Sequence, residues 1–213
     1  LEIPMNHPTC SALLTLCLSA IFAGPVPSQE VDSKTESLQR GAGTEKTAPS
    51  SDGVDVRTFD FEQPIIGADI SFVPSQEDRG SKFSDHGEQA DVLEILSKHK
   101  FNWIRLRLFV DPTAENGYSR QGYCGLEQTL AMAKRVERAG MKLLLDFHYS
   151  DTWADPGKQF TPLAWKGLSD EELSDQLYEY TSSVIKRFKD EGVAPDMVQI
   201  GNEIHNGFLW PQG

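Results

Sequence analysis

The chain has 213 residues, 38% of them hydrophobic, which is enough for one sizeable core or for one domain with a tail. Its 20 Lys and Arg against 32 Asp and Glu give a formal charge of -12, a surface that repels nucleic acid and anionic membranes but suits neutral partners. A mean hydropathy of -0.41 says that part of the chain lies outside the core.

Residues 10–24, CSALLTLCLSAIFAG, form a weakly polar to apolar run. The run is shorter than the about 20 residues of an ordinary membrane span, and Ala23, Gly24 and Pro25 close it. That is the hydrophobic core and cleavage region of an export signal. Residues 1–27 are therefore expected to be signal-like, and the protein to be secreted or periplasmic and free of the membrane once the segment is removed. The flank departs from the pattern, since no Lys or Arg precedes the run and Met5 is a candidate start. Cys10 and Cys17 would leave with the segment, and Cys124 alone cannot form an internal disulfide. With no His or cation as an immediate neighbour, Cys124 reads as a packed small side chain.

Residues 28–58 contain no aromatic residue and few large aliphatics. Such a stretch cannot bury enough apolar surface to offset its ordering entropy, so a flexible linker is expected over 28–60. The folded region is expected over 61–213.

From Ile65 onward short apolar runs alternate with helical patterns. IIGAD ends at Asp69, and ADVLEILSKH then places Val92, Leu93 and Leu96 on one helical face. NWIRLRLFV (102–110) is the second run. A helix is predicted from Leu126 to Ala139, with Leu126, Leu130, Ala133 and Val136 in phase and Gly140 as its stop. MKLLLDFHY (141–149) follows. Ser169 and Glu172 make a capping box for a helix whose buried stripe is Leu173, Leu177, Tyr180, Val184 and Phe188, closed by Gly192. MVQIG (197–201) is the fourth run. Near-continuous apolar strands alternating with helices mean an α/β fold with a parallel sheet covered on both faces, either doubly wound or part of an eight-stranded barrel. No glycine-rich turn follows the first run, which argues against a dinucleotide site.

Polar residues gather where each run ends: Asp69, then Arg105 and Arg107 within the second, Asp146 and His148, then Asn202 and Glu203. Singly, each reads as a surface charge, a satisfied histidine or a cap. At four equivalent places together they read as a site, because the C-terminal rim is where barrels build one. Alternation puts Arg105 and Arg107 on one strand face and Ile104, Leu106 and Leu108 on the other. Buried guanidinium groups need carboxylates, and Asp69 and Glu203 are the expected partners. Asp146, His148, Glu203 and His205 are also possible metal ligands. The first run, however, lacks the His-x-His pair of a barrel metallohydrolase, and Glu203 and His205 do not stand at a helical i, i+4 spacing. Neither metal nor cofactor is expected.

GADIS (67–71), NWIRLRLFVDP (102–112), GYCGLEQTLAMAKRVERAGMKLLLDFHYSDTWADPGKQ (122–159) and DMVQIGNEIHNGFLWPQG (196–213) resemble the arabinogalactan endo-β-1,4-galactanases of glycoside hydrolase family 53. HYSDTWADPGKQ and IGNEI with LWP are long enough to carry the resemblance, whereas Asn-Glu alone marks a whole clan of retaining (β/α)8 glycosidases. The resemblance implies a (β/α)8 TIM barrel of which about the first four β/α units are present. It implies an endo-acting hydrolase of β-1,4-galactosidic bonds in the (arabino)galactan side chains of pectin, monomeric, with a polysaccharide as its partner. Glu203 would be the general acid/base, with its pKa raised by partial burial near a second carboxylate. Asn202 would bond the sugar 2-hydroxyl, and Arg105 would hold the nucleophile, with Arg107 behind it. Asp69 and His148 would line the site, Asp151 and Trp153 match the galactan-binding loop, and Trp210 is a candidate sugar platform. His205 and Phe208 depart from the family's pattern after Asn-Glu. The family's nucleophile, a Glu on the seventh strand, matches no residue here, so this stretch is expected to be inactive by itself. The competing readings are another clan member acting on β-mannan or β-glucan, and an inactive carbohydrate-binding fragment.

Overall fold

The computed structural model describes residues 64–213. The signal-like segment (1–27), the linker (28–60) and residues 61–63 lie outside the described residues. The elements are β1 (Gly67–Asp69), α1 (Val73–Asp78), β2 (Ser84–Asp85), β3 (Glu88–Gln89), α2 (Val92–Lys98), β4 (Trp103–Leu108), α3 (Leu126–Arg138), β5 (Lys142–Phe147), α4 (Asp170–Asp190) and β6 (Met197–Ile200). Four strands form a sheet in the order β1-β4-β5-β6, every pair parallel. Each of these strands lies beside the previous one, as crossover helices between parallel neighbours dictate. This is the expected α/β architecture. The short antiparallel pair β2–β3 and the helix α1 were absent from the sequence reading.

The strand faces sort as alternation requires. Ile104, Leu106 and Leu108 are 0, 1 and 0% exposed, and Leu143, Leu145 and Phe147 join them in the core. Fully burying a side chain of this size contributes about 1.5–3 kcal/mol, so this apolar face is what attaches the helices. Leu130, Ala133 and Val136 of α3 and Leu173, Val184 and Phe188 of α4 are buried in the same cluster, with Leu177 and Tyr180 partly buried against it. Arg105 and Arg107 take the other face of β4.

Local chemistry ends the helices where the core does. Asp91 caps α2 by accepting from Leu93 N at 2.8 Å. The predicted capping box is present in α4: Ser169 Oγ accepts from Glu172 N, and the Glu172 carboxylate accepts from Ser169 N at 2.8 Å. Asp170, Glu171 and Glu172 fill its first turn and Arg187 and Lys189 its last, each sign matched to the helix dipole. Gly140 follows α3 with φ +69°, a left-handed turn that lets Met141 start back along the sheet at once. Among the described residues no helix is long and apolar enough to cross a membrane.

Candidate active site

Arg105 is the centre of the polar face. The parallel register pairs Asp69 with Arg105 and Arg107 with Asp146, and strands about 4.8 Å apart bring those side chains within reach. Nη1 of Arg105 donates to Asp69 Oδ2 at 2.6 Å, and Nη2 donates to Asp146 Oδ2 at 2.6 Å and to Asn202 Oδ1 at 2.8 Å. Nε donates to Gln199 Oε1 at 3.3 Å. One guanidinium thus ties β4 to β1, β5, β6 and the segment after β6. Asp69 is further held by Ser71, whose N and Oγ donate to Oδ1 at 3.0 and 2.7 Å.

Here the structure corrects one expectation. The arginine's second carboxylate is Asp146, not Glu203. Asp146 stands on the adjacent strand and is 0% exposed, whereas Glu203 lies beyond β6, two strands away from β4.

Arg107 is 5% exposed and lies deeper. Its Nε is 3.4 Å from Asp69 Oδ2, close enough for charge attraction but without hydrogen-bond alignment, and its Nη1 is buried without a hydrogen-bond partner among the described residues. Its Cζ sits 4.2 Å from the centre of the Trp153 ring, a cation–π contact that contributes about 0.5–2 kcal/mol. Phe109, Tyr118 and His148 surround the same indole at centroid distances of 6.3, 6.0 and 5.8 Å. Trp153 is 44% exposed, so one part of the ring is fixed from below and the rest is open to a ligand.

His148 and Asp151 sit differently from the expectation. His148 is 1% exposed and lies buried beneath the polar face rather than at its surface. Its Nδ1 accepts from Ala154 N at 3.2 Å, which leaves Nε2 to carry the ring proton, 3.0 Å from Asp146 Oδ2 but off the line of a hydrogen bond. Asp151 is buried, and both of its oxygens accept main-chain N–H groups, from Asp111 at 3.0 Å and from Leu163 at 2.7 Å. It clamps two loops together and presents no free oxygen pair. Trp210 is half-buried, its indole N–H donating to Asn206 O at 3.1 Å.

Asn202 is pinned at both ends of its amide, Oδ1 to Arg105 and Nδ2 to Ala154 O at 2.7 Å. Glu203 next to it has φ +54°, in the left-handed region, which costs an L residue about 1–3 kcal/mol. Gly201, at φ +77°, makes the bend possible: a Cβ there would meet Ile204 Cγ2 at 2.5 Å. The Glu203 carboxyl is exposed and has no hydrogen-bond or ion-pair partner among the described residues.

Cys124 is packed as expected, 5% exposed with Sγ 3.6 Å from Ser71 O. Burial pushes its thiol up to about 11, outweighing the opposing pull of Arg107. Among the described residues no group of three His, Cys, Asp or Glu is arranged to hold a metal. The sequence reading missed Gln199, which alternation could have found as the polar residue of MVQIG on the face of Asp146, its in-register partner.

Charged side chains collected at the C-terminal strand ends of a parallel α/β sheet mark the rim where such sheets take their ligands. The chain belongs to glycosyl hydrolase family 53, whose profile matches residues 65–213. It is 43% identical over 148 residues to the arabinogalactan endo-β-1,4-galactanase A of Emericella nidulans, covering 69% of this chain and 40% of that protein. It is 41% identical over 149 residues to the endo-β-1,4-galactanase of Bacillus subtilis, covering 68% of this chain and 34% of that one. The solved GH53 catalytic domain of Ignisphaera aggregans matches with a TM-score of 0.64 and 44% identity, over 70% of this chain and 42% of that domain. The chain thus spans less than half the length of each.

Proposed function

We propose that this protein is an endo-acting glycoside hydrolase that cleaves β-1,4-galactosidic bonds in the (arabino)galactan side chains of pectin, with retention of configuration. In this reading the sheet β1-β4-β5-β6 is the first half of a (β/α)8 barrel, exported by residues 1–27 and working as a monomer on its polysaccharide. The consecutive parallel order supports the barrel, as do arginines set opposite the helix-facing aliphatics. The observation that carries the chemistry is the 2.8 Å hydrogen bond from Arg105 to Asn202. It joins the arginine of the second sheet strand to the amide beside Glu203, at the strand ends.

Glu203 would protonate the departing glycosidic oxygen and then deprotonate the incoming water. A proton carrier must visit both protonation states, and a guanidinium partner would favour the charged one. A carboxyl outside the ion-pair cluster suits that work. Asn202 Oδ1 keeps a second lone pair for a sugar 2-hydroxyl, a contact that strengthens as the oxocarbenium-like transition state forms. Arg105, fixed by two aspartates, would turn positive charge towards the nucleophile. Retention needs a second carboxyl about 5–5.5 Å from the first, and the family supplies it from its seventh strand. Trp153 would stack on the apolar face of a galactose ring.

The test is Glu203→Gln in the full-length gene product. Cleavage of unactivated galactan should fall by about 10²–10⁴-fold, the usual worth of a positioned proton donor, while galacto-oligosaccharide affinity stays within a few-fold. Galactan turnover near wild type would reject the assignment.

A further inference from the structure

Gln159, in the loop after β5, is 2% exposed. Its Nε2 donates to Asn202 O at 2.7 Å and stands 3.2 Å from Asp155 O and 3.4 Å from Glu203 O. Its own carbonyl accepts from Trp210 N at 2.7 Å. One buried residue therefore holds both ends of the segment from Asn202 to Trp210. The amide cannot be turned round, because Oε1 in that place would face three carbonyl oxygens and no donor.

What aims the Glu203 carboxyl is the main chain, since the side chain itself is unheld. Asn202 is fixed by its own amide, and the bend at Glu203 is secured at the carbonyls on either side of it: Asn202 O meets Gln159 Nε2, and Glu203 O meets Gln159 Nε2 and, at 3.3 Å, His205 Nδ1. His205 is exposed and Gln159 is not, so the buried amide is the stiffer of the two.

We propose that Gln159 is a positioning residue for Glu203, its buried amide fixing the left-handed bend that carries the carboxyl. This rests on the reading of Glu203 as the proton carrier. Gln159→Met keeps length and volume and removes the donors. In the full-length gene product, kcat/KM on galactan should fall by about 10–100-fold, the scale on which small misplacements cost rate. With a dinitrophenyl β-1,4-galactobioside, whose leaving group departs without a proton, kcat/KM should change less than about threefold because no proton transfer is lost. An equal loss on both substrates would mean a merely structural role and would overturn the proposal, as would no loss on galactan.

Gln159→Glu covers the case in which the Met variant does not fold. Its protonated form can donate an O–H to Asn202 O, and its carboxylate can only repel the three carbonyls. The ratio of its galactan activity to wild type should rise as pH falls, and a flat ratio overturns the proposal. If Glu203→Gln keeps its galactan turnover, the reading of Glu203 itself has failed. If that variant is inactive and Gln159→Met is unimpaired, only the positioning role has.

Discussion

Replacing Arg105 by Met removes the group that answers Asp69 and Asp146 at once. Asp146, 0% exposed and with Oδ1 already without a hydrogen-bond partner, would keep, among the described residues, the His148 ring beside it. Breaking a buried ion pair by deleting one partner costs about 3–5 kcal/mol. Arg105 and Asp69 retain 23 and 27% side-chain exposure, so water screens part of that charge and the expected loss is at the lower end, about 3 kcal/mol. With a urea slope of about 2 kcal/mol per molar, the midpoint should drop by roughly 1.5 M, read by far-UV circular dichroism on the whole chain. Arg105→Lys should fall between, since an ammonium cannot span Asp69 and Asp146 in the guanidinium's fork geometry. The decisive measurement is the cycle with Asp146→Asn. If the cost is an uncompensated buried charge, the double variant should be more stable than the two single losses predict, by about 1–3 kcal/mol. Arg105→Met within 1 kcal/mol of wild type, or strict additivity in the cycle, would refute the account of the network as the site's electrostatic frame.

Ser169→Ala removes one half of the α4 capping box and should cost about 1 kcal/mol, seen as a lower thermal midpoint with unchanged helicity in the folded state. Cys124 should resist thiol reagents near pH 8 in the folded chain and react on unfolding, as followed by peptide mapping; rapid native labelling would contradict its burial. Its thiol, raised from 9.0 to about 11, contributes stability that is complete below 9.0 and is lost as pH climbs through about 11. The advantage of wild type over Cys124→Ala should therefore shrink across that window, and an advantage that grows would invert the sign.

The long elements could be read from the sequence because each carries its own periodicity. α4 shows cap, stripe and stop, and β4 announces itself by Ile104, Leu106 and Leu108 alternating with two arginines. α1 and the β2–β3 pair could not be read, because short elements with few buried residues owe their form to what they pack against. The site was half visible. Alternation set the direction of Arg105 and Arg107, but which acid answers an arginine depends on strand adjacency and register. That distinction separates Asp146 from Glu203. The clamps at Asp151 and Gln159 depend on loops folding back onto the rim, and nothing in their local composition signals it.

The charges of the network explain why such a constellation is tolerable at all. Asp69 and Asp146 balance Arg105 and Arg107, with every member held by the packed sheet or by Ser71, Gln199 and Asn202. A buried cluster of this kind is costly to assemble and contributes little net stability, but once assembled it is stiff. Glu203 is the acid left outside that balance. If Glu203 is the proton carrier proposed for it, the division separates two jobs that conflict in one side chain: holding a fixed charge where a nucleophile is to be steadied, and exchanging a proton with a leaving sugar. Joining Glu203 to the cluster by an arginine contact would fix its charge, and freeing Asp146 from it would loosen the frame.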